Sequence, residues 1–197
     1  PAKINIETPT VNELQNGVGK LVVRDNGLGM TQKQAQMAVT AGFSGQGNRW
    51  DNLGLFGMGF NIATGKIGNV TKLKTSISGE SEWTILTLDL RAMRDSHSYH
   101  IPVTKEKKKD ISESGTEITV QDWWPSGDLN SGFIRRLAGN RREIKNNLSR
   151  IYATLIRDES ISLEISLMGE RIEPFFHCVW SEKRSVTYKG DIVPAKI

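Results

Sequence analysis

A glycine-rich stretch is the part of the sequence with the clearest chemical potential. Gly54, Gly57 and Gly59 give it the spacing G-x-x-G-x-G. Glycine lets a backbone turn tightly and approach a ligand closely. The following residues, 61–64, suit the first turn of a helix, whose free N–H groups and positive dipole end attract an anion such as a phosphate. An ordinary turn has the same pattern, so its meaning depends on the motifs on either side.

A carboxylate directly after a predicted strand is the second such feature. Asp25 follows the apolar residues 21–23 and is itself followed by Gly27 and Gly29. Burying this carboxylate is costly without a hydrogen-bond donor. The two glycines would leave room for a flat ligand, and adenine suits because its exocyclic amine donates to a carboxylate. The alternative is a turn in which Asp25 caps its own loop through Gly27, and the motif alone does not decide between them.

A threonine at the start of a later predicted strand is the third feature. The hydroxyl of Thr116, in the pair Gly115-Thr116, can donate and accept, so it could contact a purine ring nitrogen directly or through water. A Gly-Thr pair by itself is usually structural. The three motifs are nevertheless more specific together than alone, because they occur in a fixed order with the predicted elements. That order is strand, DxGxG, helix, loop, GxxGxG, helix, hairpin, GT, strand.

On these motifs, at 25–30, 54–59 and 115–116, the chain resembles the GHKL ATPases, the superfamily of gyrase B, the heat-shock-ninety chaperones, histidine kinases and MutL. Residues 148–152 and 168–174 are similar to the end of the ATPase domain in MORC-like and MutL-like members. The resemblance implies the Bergerat fold. This is an α+β, two-layer α/β sandwich, in which a mixed β-sheet carries helices on one face.

The resemblance also implies a site for ATP with Mg²⁺. Asp25 would accept from the adenine amine with Thr116 in support, and backbone N–H groups near Gly59 would hold the phosphates. Met30 would pack against the adenine or serve equally well as a core methionine. The implied site residues are Asp25, Gly27, Gly29, Met30, Gly54, Gly57, Met58, Gly59, Phe60 and Thr116.

One family element has no counterpart here. Members carry a helix before the first strand, with a glutamate that activates water and an asparagine that ligates Mg²⁺. This sequence begins at Pro1, beside a predicted strand at 3–7, so we expect the helix to belong to an upstream segment and assign no catalytic base. We predict an ATP-binding domain over residues 1–180, and the start of a following, transducer-like segment over 181–197.

Hydrophobic periodicity and turn residues predict the remaining elements. Thr31 is a predicted N-cap for a helix that stops at Gly42, and the polar residues 42–52 are expected to form a lid-length loop. We expect a simple hairpin connection at 8–19, a solvated loop at 91–110 and a helical segment from 134 to 155 that is interrupted at Gly139. Strands are predicted at 3–7, 21–24, 69–77, 82–90, 115–120 and 163–167.

Composition places the chain among soluble globular proteins, with 37% apolar and 24% charged residues. It contains no apolar run of membrane-spanning length and no signal segment. A single cysteine, Cys178, permits no internal disulfide and fits a reducing compartment, the cytoplasm or a eukaryotic nucleus. No Cys/His cluster has the spacing of metal ligands, so no protein metal site is predicted.

Positive charge is concentrated in one stretch. Residues 133–157 contain seven Lys or Arg and one acid, Glu143, which accounts for more than the whole net charge of +4. The simplest interpretation is a solvated helix face. A contact with DNA is the alternative.

These observations favour the ATP-binding module of an ATPase that closes a lid, switches conformation on ATP binding and forms a nucleotide-dependent homodimer. Hydrolysis would be slow, since the change of state does the mechanical work. One alternative is a nucleotide-sensing module without turnover. A histidine or protein kinase domain is a third possibility, although no phosphoacceptor histidine context is visible.

Overall fold

The central element of the protein is an eight-stranded sheet. The structure is a computed structural model that describes residues 1–42, 58–125, 131–176, 185–189 and 191–194. The strands are β1 (Ala2–Glu7), β2 (Leu21–Asp25), β3 (Gly68–Ser76), β4 (Glu82–Asp89), β5 (Val103–Lys107), β6 (Gly115–Trp123), β7 (Leu163–Leu167) and β8 (Glu170–Arg171). Their order across the sheet is β5-β4-β3-β6-β2-β1-β7-β8. Only the β1–β7 pair is parallel, so the sheet is mixed, as predicted.

Seven helices are described. They are α1 (Val11–Gln15), α2 (Gln32–Val39), α3 (Gly59–Ile67), α4 (Leu90–Ser96), α5 (Ser131–Gly139), α6 (Arg141–Ile151) and α7 (Ala153–Arg157). Two further strands, β9 (Ser185–Tyr188) and β10 (Asp191–Pro194), form a separate antiparallel pair. The proposed boundary near residue 181 stays a prediction.

The strand register divides the sheet into two chemically different faces. Because side chains alternate along a strand, Leu73 and its partners Leu86 and Ile118 point to the same face. That face carries the hydrophobic clusters. The other face carries ion pairs, including Arg24–Glu117 at 2.7 Å and Lys74–Glu106 at 2.6 Å. The helices therefore cover one face, which confirms the predicted architecture.

Two hydrophobic clusters anchor the helices on that face. The first joins Ala35 and Val39 of α2 to Leu73, Leu86 and Leu88 of the sheet. The second is centred on Ile165, Leu167 and Ile172, with partly buried side chains of α6 and α7 packed on it. The first lies mainly over β3 and β4 and the second over β1 and β7. The ends of β2 and β6, with Asp25 and Thr116, lie between them.

Two connections contain more structure than predicted. Residues 8–19 include α1, because Thr10 and Glu13 form a reciprocal capping box. The backbone N–H and hydroxyl of Thr10 donate to the Glu13 carboxylate and hold the pKa of Glu13 below its usual value. The T-x-x-E spacing was a usable signal for this helix.

The stretch 91–110 is not simply a solvated loop, since α4 and β5 lie in it. Asp89 caps α4 by accepting the N–H of Ala92 at 2.9 Å. Among the described strands, β5 pairs only with β4 and lies at the edge of the sheet. Edge strands are commonly rich in lysine, which is why hydrophobic alternation did not reveal it.

The remaining predicted elements are present, although α2 ends at Val39 and not at Gly42, and the later helical segment has one added interruption. Thr31 forms a capping box with Gln34 at the start of α2. The predicted helical segment is broken at Gly139, as expected, and again at Tyr152, where α6 gives way to α7. The predicted lid-length loop at 42–52 lies outside the described ranges except for Gly42.

Candidate functional site

Asp25 ends β2 with its side chain in the centre of a small hydrogen-bond network. It is paired in register with Thr116 of β6 and is half-buried. Its Oδ1 accepts the N–H of Gly27 at 2.8 Å and the N–H of Thr116 at 3.3 Å. The capping turn is therefore formed, together with a bond across the strands. Among the described residues no donor bonds to Oδ2, so this oxygen can accept from a ligand.

Gly29 lets the turn after Asp25 lie directly on the sheet. Its φ is +71°, and a Cβ built there would stand 1.9 Å from the carbonyl oxygen of Ser76. Gly115 fits the same way, since its φ is +131° and a Cβ would stand 2.2 Å from the carbonyl oxygen of Asp25. Gly29 therefore permits the packing of backbone on backbone, and the clearing of space for a ligand stays a prediction.

Thr75 of β3 belongs to this site, although the sequence did not reveal it. It is fully buried, and its hydroxyl oxygen accepts the N–H of Met30 at 2.9 Å. The same hydroxyl donates to the carbonyl of Gly115 at 2.9 Å and lies 3.1 Å from the hydroxyl of Thr116. Nothing local marks a threonine in a strand as special. Thr75 is recognised as part of the site only from the strand register, which sets it opposite Thr116.

Met30 has a structural contact of its own. Its side chain is partly buried against the first hydrophobic cluster, as is that of Phe60 from α3. This agrees with the core alternative for Met30. Contact with an adenine ring stays a prediction. The shared cluster also connects the turn after Asp25 to the start of α3.

The glycine-rich motif leads into a helix, as predicted. α3 begins at Gly59 with Met58 as its N-cap, and no described side chain caps this end. A Cβ at Gly59 would meet no described atom within 4 Å. The side chain of Asn61 donates to the carbonyl of Val39 at 3.2 Å and ties α3 to the end of α2. The described residues thus leave the first-turn amides of α3 available to an anion, while Gly54 and Gly57 lie outside those residues.

Two cavities lie near these elements without defining the site. One of 860 Å³ lies among α2, α3, α4 and the sheet, and its lining contains none of the predicted site residues. Another of 500 Å³ includes Asp25 and Thr116 but extends over the open sheet face beside Trp83. We place the site by its hydrogen-bonding groups, which lie on the helix-covered face by register.

The basic stretch at 133–157 is partly neutralised within the protein. Lys145 pairs with Glu170 at 2.8 Å, which holds the pKa of Glu170 below its usual value. Arg150 and Arg157 lie over the rings of Phe175 and Phe176. Arg141 and Arg142 are exposed at the start of α6, and a DNA contact through this surface stays a prediction.

Within the described ranges, no cluster of three or more His, Cys, Asp or Glu side chains could hold a metal ion. Among the same residues, no helix is long and apolar enough to cross a membrane.

Sequence comparison identifies the class of protein. The profile of the family described as histidine kinase-, DNA gyrase B- and HSP90-like ATPases matches residues 2–121. Since this match covers more than half of the chain and contains all three motifs, the chain belongs to this family. No curated protein matches the sequence significantly.

Solved structures show the same fold at low sequence identity. The Aquifex aeolicus MutL ATPase domain complexed with ADP aligns with a TM-score of 0.54 and 13% identity, over 88% of this chain and 57% of that one. A lysine-to-asparagine variant of the Aquifex domain aligns with a TM-score of 0.50 and 15% identity, over 89% and 56% respectively. The chain thus spans little more than half the length of these structures.

Proposed function

We propose that this chain is the ATP-binding module of a GHKL-type ATPase. The observation that carries the proposal is the polar group at the ends of β2, β3 and β6, where Asp25, Thr75 and Thr116 meet on the helix-covered face. Membership of the ATPase family and the likeness to an ADP-bound MutL domain support it.

The base of the nucleotide would bind at Asp25. The free Oδ2 accepts a hydrogen from the exocyclic amine of adenine, while Oδ1 is held by the N–H groups of Gly27 and Thr116. Since the carboxylate is already oriented, ligand binding does not have to order it. The hydroxyl of Thr116 would contact the ring through a water molecule.

The phosphates would bind at the start of α3. The uncapped first turn at Gly59 presents N–H groups and the positive end of the helix dipole. Mg²⁺ would be held mainly by the phosphates and water, its usual mode in such sites. No described side chain is assigned to it.

Separate sites for the base and the phosphates predict that nucleotide affinity rises with the number of phosphates. ATP should bind at least about tenfold more tightly than AMP, because additional phosphates engage the amides of α3. Gly59→Ala should lower the affinity for ATP and leave that for AMP unchanged, since its Cβ occupies space that the described residues leave open. Titration calorimetry with AMP, ADP and ATP measures this series.

Gly132→Ala is the matched control. Gly132 is the second residue of α5, and a Cβ there also meets no described atom within 4 Å. Equal affinities of the wild-type chain for AMP and ATP would contradict the phosphate assignment. A loss of AMP binding in Gly59→Ala would show that the substitution disturbs the base site as well.

The finer mechanism that we propose is a switch, in which ATP binding closes a lid, promotes a homodimer and precedes slow hydrolysis. We expect light scattering to show a doubled mass with a non-hydrolysable ATP analogue and a monomer with ADP. Phosphate release is expected from a longer chain that contains a catalytic glutamate.

Two other outcomes would favour the alternative functions. Nucleotide binding with neither dimerisation nor phosphate release would favour the nucleotide-sensing module. Phosphotransfer from radiolabelled ATP to protein would favour a kinase.

A further inference from the structure

Thr75 is the buried centre of the hydrogen bonds that hold the turn after Asp25 against the sheet. Its hydroxyl oxygen has three partners, namely the N–H of Met30, the carbonyl of Gly115 and the hydroxyl of Thr116. A hydroxyl has one hydrogen to donate and two lone pairs that accept. The three contacts therefore use the full hydrogen-bonding capacity of Thr75.

The number of hydrogen bonds at Thr75 determines where the hydroxyl hydrogen of Thr116 points. The hydrogen of Thr75 goes to Gly115, because a carbonyl oxygen can only accept. The contact of 3.1 Å between the two hydroxyls must then use the hydrogen of Thr116. Thr116 consequently points its hydrogen inward, towards Thr75, and has only lone pairs left for any other partner.

The described groups beside Thr116 add no free donor. Asp25 contributes a carboxylate, which accepts. The backbone N–H groups of Gly27 and Thr116 are both taken by its Oδ1. This wall of the site, made by Asp25 and Thr116, therefore offers acceptors alone. An amino group can donate to such a wall, whereas a carbonyl oxygen placed there would lack a partner.

From this arrangement we infer that Thr75 is a positioning residue that sets the base selectivity of the site. By taking the hydroxyl hydrogen of Thr116, it keeps the wall free of donors and so favours a purine with an amino group at this edge over one with a carbonyl. The inference rests on the proposed function and deepens it. Thr75 acts through Thr116 and does not itself touch the ligand.

ATP and inosine triphosphate provide the test, since they carry the same triphosphate and differ only at this edge. At C6 the amino group of adenine is replaced by a carbonyl, and at N1 the bare nitrogen of adenine is replaced by an N–H. Thr75→Val keeps the shape of the side chain but releases the Thr116 hydroxyl, which can then donate to the carbonyl. We expect the preference for ATP over inosine triphosphate to narrow about tenfold in Thr75→Val. Thr75→Ser retains the hydroxyl and should keep the wild-type ratio. Calorimetry measures the six affinities, and the ratio is insensitive to a general loss of phosphate contacts.

An unchanged ratio in Thr75→Val, with ATP still bound by the wild type, would overturn this inference and leave nucleotide binding standing. Absence of ATP binding by the wild type would overturn the proposed function, and this inference with it. If Thr75→Val does not fold, NMR of the wild-type chain decides the matter. A slowly exchanging Thr116 hydroxyl proton with a nuclear Overhauser effect to Thr75 supports the inference, and a Thr116 proton that exchanges at the rate of exposed hydroxyls overturns it.

Discussion

Asp25→Asn is expected to weaken ATP binding at least about a hundredfold without unfolding the chain, because a donor would replace an acceptor at the base-binding position. The asparagine oxygen can still accept from the N–H groups of Gly27 and Thr116, as Oδ1 of Asp25 does at 2.8 and 3.3 Å. The amide NH₂ then stands where Oδ2 stood and opposes the amine of adenine. Calorimetry measures the affinity, and circular dichroism checks the fold.

Asp158→Asn is the matched control for this change. Asp158 makes the same kind of turn, with its Oδ1 accepting the N–H of Ser160 at 2.9 Å, but it lies after α7, away from the site. We expect this variant to bind ATP like the wild type. If Asp25→Asn retained wild-type affinity, the adenine would have to bind elsewhere.

Gly29→Ala should reduce the free energy of unfolding by about 3 kcal/mol or more, since a backbone clash adds to an unfavourable φ. The added Cβ would stand 1.9 Å from the carbonyl oxygen of Ser76 and 3.1 Å from the backbone nitrogen of Gly115. Neither atom can move without displacing β3 or β6. Urea unfolding followed by circular dichroism measures the loss, and ATP affinity should fall with it, because Thr116 follows Gly115 directly.

Gly17→Ala separates the cost of the left-handed φ from the cost of the backbone clash. The φ of Gly17 is +69°, close to the +71° of Gly29, but a Cβ there would meet no described atom within 4 Å. Its cost should be about 1 kcal/mol, that of the left-handed backbone alone. Equal losses for the two variants would mean that the turn after Asp25 does not lie tightly on the sheet.

Much of the fold was predictable because local signals and global structure agree. Thr31 caps α2 at the expected residue, Gly139 ends α5, and the alternation at 163–167 is strand β7. Each depends on a property of a few neighbouring residues, namely a capping side chain, a helix-breaking glycine and a repeat of two. Prediction failed for α4 and β5, whose polar residues make them resemble a loop. It also failed for α1, although the sequence contains the Thr10 and Glu13 of its capping box.

By itself, the sequence determined which residue types stand at the strand ends. Asp25, Gly29 and Thr116 were identified from two of the three motifs on which the family resemblance rests. Their order along the chain was enough because each motif is short and stands beside an element with a clear local pattern.

Only the tertiary structure decided how these residues act together. Strand pairing sets Asp25 opposite Thr116 and Thr116 opposite Thr75, although 91 and 41 residues separate the members of the two pairs. Contacts at that separation arise from the register of the whole sheet, which depends on the packing of its buried face and on no local pattern. The role of Gly29 in backbone packing and the buried hydroxyl of Thr75 both come from that register, which is why no motif revealed them.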